Sequence, residues 1–280
     1  MKKIFEMIGL LSLIFFSFFY TNKISLVIKN EDDILKQIEE IKDQYKIDYI
    51  DALVNKNTII PGVSGSKINI KKSYNKMKKV NSFNSNLLVY DEIKPSISVS
   101  GVYDKYIISG NKNKKEVSLS FLLKDNDSLN KILEILNSYN IKATFYMDEY
   151  WFEDNTETVF DLIKNSHIVG FLESNSNNDS SLTWMNGIVN KIAKQKDTYC
   201  YNKDYNDIFL NQCKLNQSYT IKPSIVVESN PLIEIKNNIE NGSIISLDVN
   251  DKLLKELKLI IEYINHKDLQ IVTIEKLLEE

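Results

Sequence analysis

Six acidic side chains fall at or just beyond the ends of candidate strands: Asp125 and Asp127, Asp148 and Glu149, Glu173, and Asp248. Tyr150, Trp151 and Phe152 follow directly on that second pair. Carboxylates beside aromatic rings suit sugars, because the rings cover apolar sugar faces while the oxygens accept hydroxyl hydrogen bonds. The candidate binding surface is therefore Asp125, Asp148, Tyr150, Trp151, Glu173 and Asp248. Paired carboxylates also serve as acid and base in glycoside hydrolysis, or hold Ca²⁺. Helix capping accounts for Asp125, Asp127 and Asp148 as well, and packing for Trp151.

Other chemistries are excluded by composition. Only two His and two Cys occur in 280 residues, too few for a zinc finger or an iron–sulfur cluster. The cationic residues are all Lys, so bidentate guanidinium readout of phosphate or guanine is absent. A net charge of −3 argues against a nucleic-acid binder, and 43% hydrophobic residues suffice for a core. His167 opens a strand and His266 closes a helix, so neither is a candidate ligand.

The elements that must position the acidic residues follow from periodicity. Strands are predicted at 116–123, 142–147, 167–172, 198–201, 219–227, 243–247 and 269–273, with helices at 128–139, 155–165, 182–194, 205–215, 231–240 and 253–265. Alternation of this kind implies parallel pairing with helices outside, and about seven units suit a distorted (β/α) barrel. Trp184 falls on the 182–194 helix and reads as core. Ahead of residue 115 the pattern is an irregular α+β preface, with helices expected over 31–46 and 70–79.

The run Met7–Tyr20 carries no charge and follows Lys2 and Lys3. It reads as an uncleaved signal anchor with the bulk of the chain extracytoplasmic, although a span usually needs about 20 residues. The division expected is an anchor over 1–24, a juxtamembrane preface over 25–114 and a folded domain over 115–280. Outside the cytoplasm thiols oxidise, so Cys200 and Cys213 are a disulfide candidate. That bridge would close a short loop worth roughly 3 kcal/mol in the chain-entropy model.

Several local words then resemble one family. Val117-Ser118-Leu119-Ser120-Phe121, the run from Ile132 to Tyr146 with Ala143-Thr144-Phe145, Ser166-His167-Ile168-Val169-Gly170, Asn241 to Leu247, and Leu269 to Leu278 resemble the polysaccharide deacetylases, the NodB homology domain. Ile60 to Gly65 and Lys72-Ser73-Tyr74 are similar to the preface of membrane-anchored clostridial members. The resemblance implies a NodB-type barrel. It also implies a divalent metal, zinc or similar, held by one Asp and two His, with a second Asp as base and a late-strand His as acid.

The chain departs from that pattern at each chemical position. The Asp pair falls on Leu122 and Leu123, the metal histidines on Leu172 and Ser176, and the acid His on Asp248. Leucine cannot ligate a cation, so no catalytic residue, metal or cofactor is expected. The expectation is a non-catalytic deacetylase-like envelope protein that binds cell-wall glycan or a partner protein and no nucleic acid. Two rivals are a hydrolase using relocated acidic residues and a purely structural scaffold of an envelope complex.

Overall fold

The computed structural model describes residues 11–19, 32–124, 128–173, 179–193 and 195–280. Its strands are β1 (Leu53–Val54), β2 (Thr58–Ile60), β3 (Gly65–Ile68), β4 (Tyr90–Ile93), β5 (Tyr106–Ile107), β6 (Glu116–Leu122) and β7 (Thr144–Met147). They continue as β8 (Ile168–Leu172), β9 (Thr198–Tyr201), β10 (Ser218–Ile221), β11 (Ile225–Val226), β12 (Ile244–Asp248) and β13 (Gln270–Val272). The helices are α1 (Asp33–Ile41), α2 (Ile70–Lys78), α3 (Leu129–Ser138), α4 (Glu149–Asp154) and α5 (Thr156–Lys164). After them come α6 (Asp179–Ile192), α7 (Asp207–Leu215), α8 (Pro231–Asn238), α9 (Asp251–His266) and α10 (Ile274–Leu278). The chain divides into two compact units: residues 1–49 with 64–94, and residues 50–63 with 95–280.

The larger unit is a curled α/β sheet. Among the described residues it has eleven strands in the order β1-β2-β5-β10-β9-β8-β7-β6-β12-β11, with β13 also on β6. The ladders from β5 through β11 are parallel. β6 shows why both faces are apolar. Val117, Leu119 and Phe121 point to the helix layer, where they join Ile132, Leu136, Leu257 and Ile261 in the main core. Ser118, Ser120 and Leu122 alternate to the concave side, and all six are buried, as expected for a parallel sheet covered on both faces. The concave side holds a second cluster that includes Leu122, Tyr146, Tyr199, Tyr201 and Tyr219.

The curled α/β sheet agrees with the expected barrel-like class, but its strands number eleven among the described residues where about seven were expected. The predicted strand 219–227 breaks at Lys222-Pro223-Ser224, where proline lacks the N–H a ladder needs. Its first half, β10, pairs with β9, and its second half, β11, pairs with β12. The free side of β10 is taken by β5, which brings β2 and β1 after it, so the hydrogen-bonded path stays open. Residues well ahead of 115 thus supply sheet strands.

In the same unit the side chain of Glu280 accepts hydrogen bonds from the backbone N–H of Gly62 and Val99 and from the Ser98 hydroxyl. Cys200 and Cys213 are joined in a buried disulfide that ties β9 to α7 across a Cα–Cα distance of 6.3 Å.

The smaller unit packs α1 and α2 with the antiparallel strand pair β3–β4, which α2 connects, around Ile34, Ile38, Ile68, Met77 and Leu88. Asp32 caps α1 by accepting from the Ile34 N–H, and Asn69 caps α2 by accepting from the Lys72 N–H.

The expected signal anchor is not supported. Among the described residues no helix is long and apolar enough to cross a membrane. The described part of that segment is helical over residues 11–19. At 1.5 Å per residue that length covers about half of a ~30 Å hydrocarbon core. Residues 1–10 and 20–24 of the expected span lie outside the described residues.

Candidate functional site

The C-terminal ends of β6, β7, β8, β9 and β12 form the rim where a parallel α/β sheet carries ligands. Each strand delivers its last inward side chain there: Leu122, Tyr146, Leu172, Tyr201 and Asp248. Register brings Asp248 opposite Leu122, Tyr146 opposite Leu122 on the other side, and Leu172 opposite Tyr201. Leu122 and Leu172 therefore lie in one apolar cluster with Tyr146 and Tyr201. Leu123 turns the other way, into the main core, at 1% exposure.

Beneath this plug the interior is phenolic. The Tyr201 hydroxyl lies 2.7 Å from Ser246 Oγ, and burial pushes its pKa up to about 12. Burial likewise raises Tyr146 far above the ordinary phenol range. Both groups are neutral hydroxyls and offer no anion to a metal.

The metal implied by the family resemblance finds no fitting donor set. The three ligand positions fall on Leu123, Leu172 and Ser176, of which Ser176 lies outside the described residues, and Leu122 stands at the position of the base. Among the described residues no group of three His, Cys, Asp or Glu side chains is placed to hold a metal ion. His167 is buried at the opposite end of the sheet, where Nδ1 accepts the Ala143 N–H at 3.2 Å and the ring packs edge-on against Phe145. Burial lowers its pKa to about 4. His266 sits in the last turn of α9.

The proposed sugar-binding residues separate into three places. Asp148, Tyr150 and Trp151 line one depression of about 350 Å³ together with Leu123, Lys124, Asp154 and Asn155. Asp148 caps α4 by accepting the Trp151 N–H at 2.9 Å. Tyr150 is 57% exposed while Trp151 is buried. Asp248 lines a neighbouring hollow of about 260 Å³ with Glu228, Ser229, Asn250 and Asp251. Lys124 donates to Asp248 at 3.1 Å and so stands between the two. Glu173, at the end of β8, lines neither and accepts from Asn206 at 2.6 Å. Asp125 and Asp127 lie outside the described residues.

One expected side-chain placement changes. Trp184, expected in the core, is 42% exposed and packs edge-on against Phe152. Lys124 was not singled out, although its place directly after Leu122-Leu123 put it on the rim. The Lys203–Glu228 pair at 3.0 Å extends the charged border and carried no sequence signal beyond its strand-end position.

The fold is like that of solved CE4-family structures, and residues 109–200 match the family model described as polysaccharide deacetylase. The chain is 30% identical over 175 residues to the uncharacterized protein YlxY of Bacillus subtilis strain 168. That match covers 61% of this chain and 53% of the relative, so the chain spans about half the length of the curated relative it matches. Among solved structures it is similar to wild-type BA3943 of Bacillus anthracis, a CE4 family pseudoenzyme, at 23% identity and TM-score 0.69, covering 89% of this chain and 96% of that one. A BA3943 mutant with restored enzymatic activity superposes at TM-score 0.68 and 23% identity, over 89% of this chain and 99% of the other. The Bc1960 peptidoglycan N-acetylglucosamine deacetylase shares 20% identity at TM-score 0.54, over 62% of this chain and 95% of that one.

Proposed function

We propose that the protein is a non-catalytic, deacetylase-like envelope protein whose rim binds glycan. The observation that carries this reading is the apolar plug of Leu122 and Leu172, packed with Tyr146 and Tyr201, where the resemblance would put the base and a metal ligand, while the remaining described ligand position, Leu123, is buried in the main core. A divalent cation needs several lone pairs at about 2.0–2.2 Å, and leucine supplies none. The pseudoenzyme character of the similar BA3943 fold is in keeping with it. Sugar rings fit the Tyr150 face beside Asp148 and Lys124. The Cys200–Cys213 disulfide supports an oxidising, extracytoplasmic setting.

Of the acidic residues that relocated acid–base catalysis would use, Asp125 lies outside the described residues and three others already have partners. Asp148 is committed to a helix cap, Asp248 to Lys124 and Glu173 to Asn206.

The purified chain, incubated with acetylated chitooligosaccharide or peptidoglycan and Zn²⁺ or Co²⁺, should release no acetate. Metal-dependent acetate release would overturn the non-catalytic reading. Calorimetric titration with the same oligosaccharides should show binding that Tyr150→Ala weakens about tenfold, the equivalent of one sugar–aromatic stacking contact. Absence of any binding would leave the scaffold rival standing in place of glycan recognition.

A further inference from the structure

From Ala52 to Tyr90 the chain has no acidic residue and seven lysines, at positions 56, 67, 71, 72, 76, 78 and 79. Five of them sit on or next to α2 of the smaller unit, all exposed. At 100° per residue, Lys71, Lys72, Lys76, Lys78 and Lys79 cover a continuous arc of roughly 160°. The opposite side of the helix buries Ser73 and Met77, with Ile70 and Tyr74 packed on the unit's core. The helix is thus divided lengthwise into a basic face and a packed face.

Folding needs do not explain the basic face. Lys71 and Lys72 occupy the first turn, where the helix dipole is positive and disfavours cations. Other helices of this protein place acids there: Asp33, Glu149, Glu157, Asp207 and Asp251. Ion pairing accounts for only part of the charge. Lys78 pairs with Asp32 at 2.7 Å and Lys72 with Asp91 at 3.5 Å. Asp91 also feels the charge of Lys67, but Lys71, Lys76 and Lys79 form no ion pair among the described residues, which leaves the charge of this surface only partly compensated.

A helical stretch of the same unit, residues 11–19, exposes Leu11, Leu13, Ile14, Phe15, Phe16, Phe18 and Phe19 at 58–71%. Apolar insertion alone gives marginal, reversible adsorption, and stable attachment takes a second, electrostatic signal. We propose that the basic face of α2 docks on an anionic phospholipid bilayer and supplies that second signal.

The test uses the full chain and two vesicle compositions, pure phosphatidylcholine and phosphatidylcholine with 30% phosphatidylglycerol, read by flotation. Binding to the anionic vesicles should be at least a hundredfold tighter and should fall as salt rises from about 0.1 to 0.5 M. The variant K71Q/K76Q/K79Q should lose that advantage by on the order of a hundredfold, and K71Q alone, should the triple variant misfold, by about fivefold. A control variant, K131Q/K164Q/K214Q, removes three exposed lysines of the larger unit and should keep the advantage. Equal binding to both vesicles would overturn the proposal, as would an equal loss in the control. So would tighter binding to soluble polyphosphate than to the anionic vesicles, which would make the face a polymer site.

Discussion

The two ends of the same parallel sheet have gone different ways. At the lower end, where the strands begin, the family-like words all make backbone contacts. His167 Nδ1 holds the Ala143 N–H, Thr144 Oγ1 accepts from the Ile274 N–H at 3.1 Å, and Gly242 exchanges backbone bonds with Glu116 and Gly110 at 2.8 Å. At the upper rim the strand geometry is equally regular, but Leu122 and Leu172 stand where chemistry would need donors. Side chains that shape the backbone and side chains that act on a ligand are thus separable within a single strand, and a fold can keep one set without the other.

The largest effect should come from the lower end. Gly242 has φ +81°, and a Cβ there would run into the carbonyl oxygen of Gly110. Gly242→Val should cost about 4 kcal/mol in urea unfolding, from backbone strain and overlap together. A cost below about 1 kcal/mol would show that this turn does not hold the lower end. At the rim, Leu122→Asp places a carboxylate in an apolar cluster and should cost about 3 kcal/mol. Added Zn²⁺ should not restore the melting temperature; rescue by zinc would mean the rim still grips an ion.

His167 gives the lower end a pH signature. Burial lowers its pKa from 6.5 to about 4, so below the unfolded value the unfolded chain takes up a proton that the folded chain refuses. Its share of stability is complete above about pH 6.5 and is lost as pH falls toward about 4, by roughly 2 kcal/mol. The difference between the pH–stability curves of wild type and His167→Gln isolates this slope, and parallel curves would contradict it. The smallest effect belongs to the rim. Lys124→Ala removes an exposed pair with Asp248 and should change stability by no more than about 0.5 kcal/mol. A larger change would show that the charged border supports the fold as well as facing solvent.

Much of this contrast was legible in the sequence. The β6, β7, β8, β9 and β13 strands fall within the segments that alternation marks, and β12 runs one residue past its segment to Asp248, because each is an apolar run bounded by helix signals. The substitution of leucine for the base at 122 and for ligands at 123 and 172 is visible in the letters alone. Where pairing depends on distant partners, the sequence was silent. Nothing near Tyr106-Ile107 announces that two residues will lie beside β10, since such a short strand has no measurable period. The break in 219–227 is a matter of which neighbour each half meets, although Pro223 marks its place. Trp184 shows the limit of helical periodicity: it lies on the flank of α6, between the buried Leu182 and Met185. Of the acidic rim, strand-end positions were readable, but the grouping of Asp148 with Lys124 and the isolation of Glu173 depend on loop paths that no local pattern encodes.

The two outer strands of the large sheet, Leu53–Val54 and Ile225–Val226, are each two residues long. Both are apolar, and an edge of that character would invite neighbouring molecules to add strands of their own if it ran further. So brief an edge offers a foreign strand almost no purchase. In concentrated solution the protein should therefore resist fibril growth, and any precipitate should stay amorphous and fail to bind thioflavin.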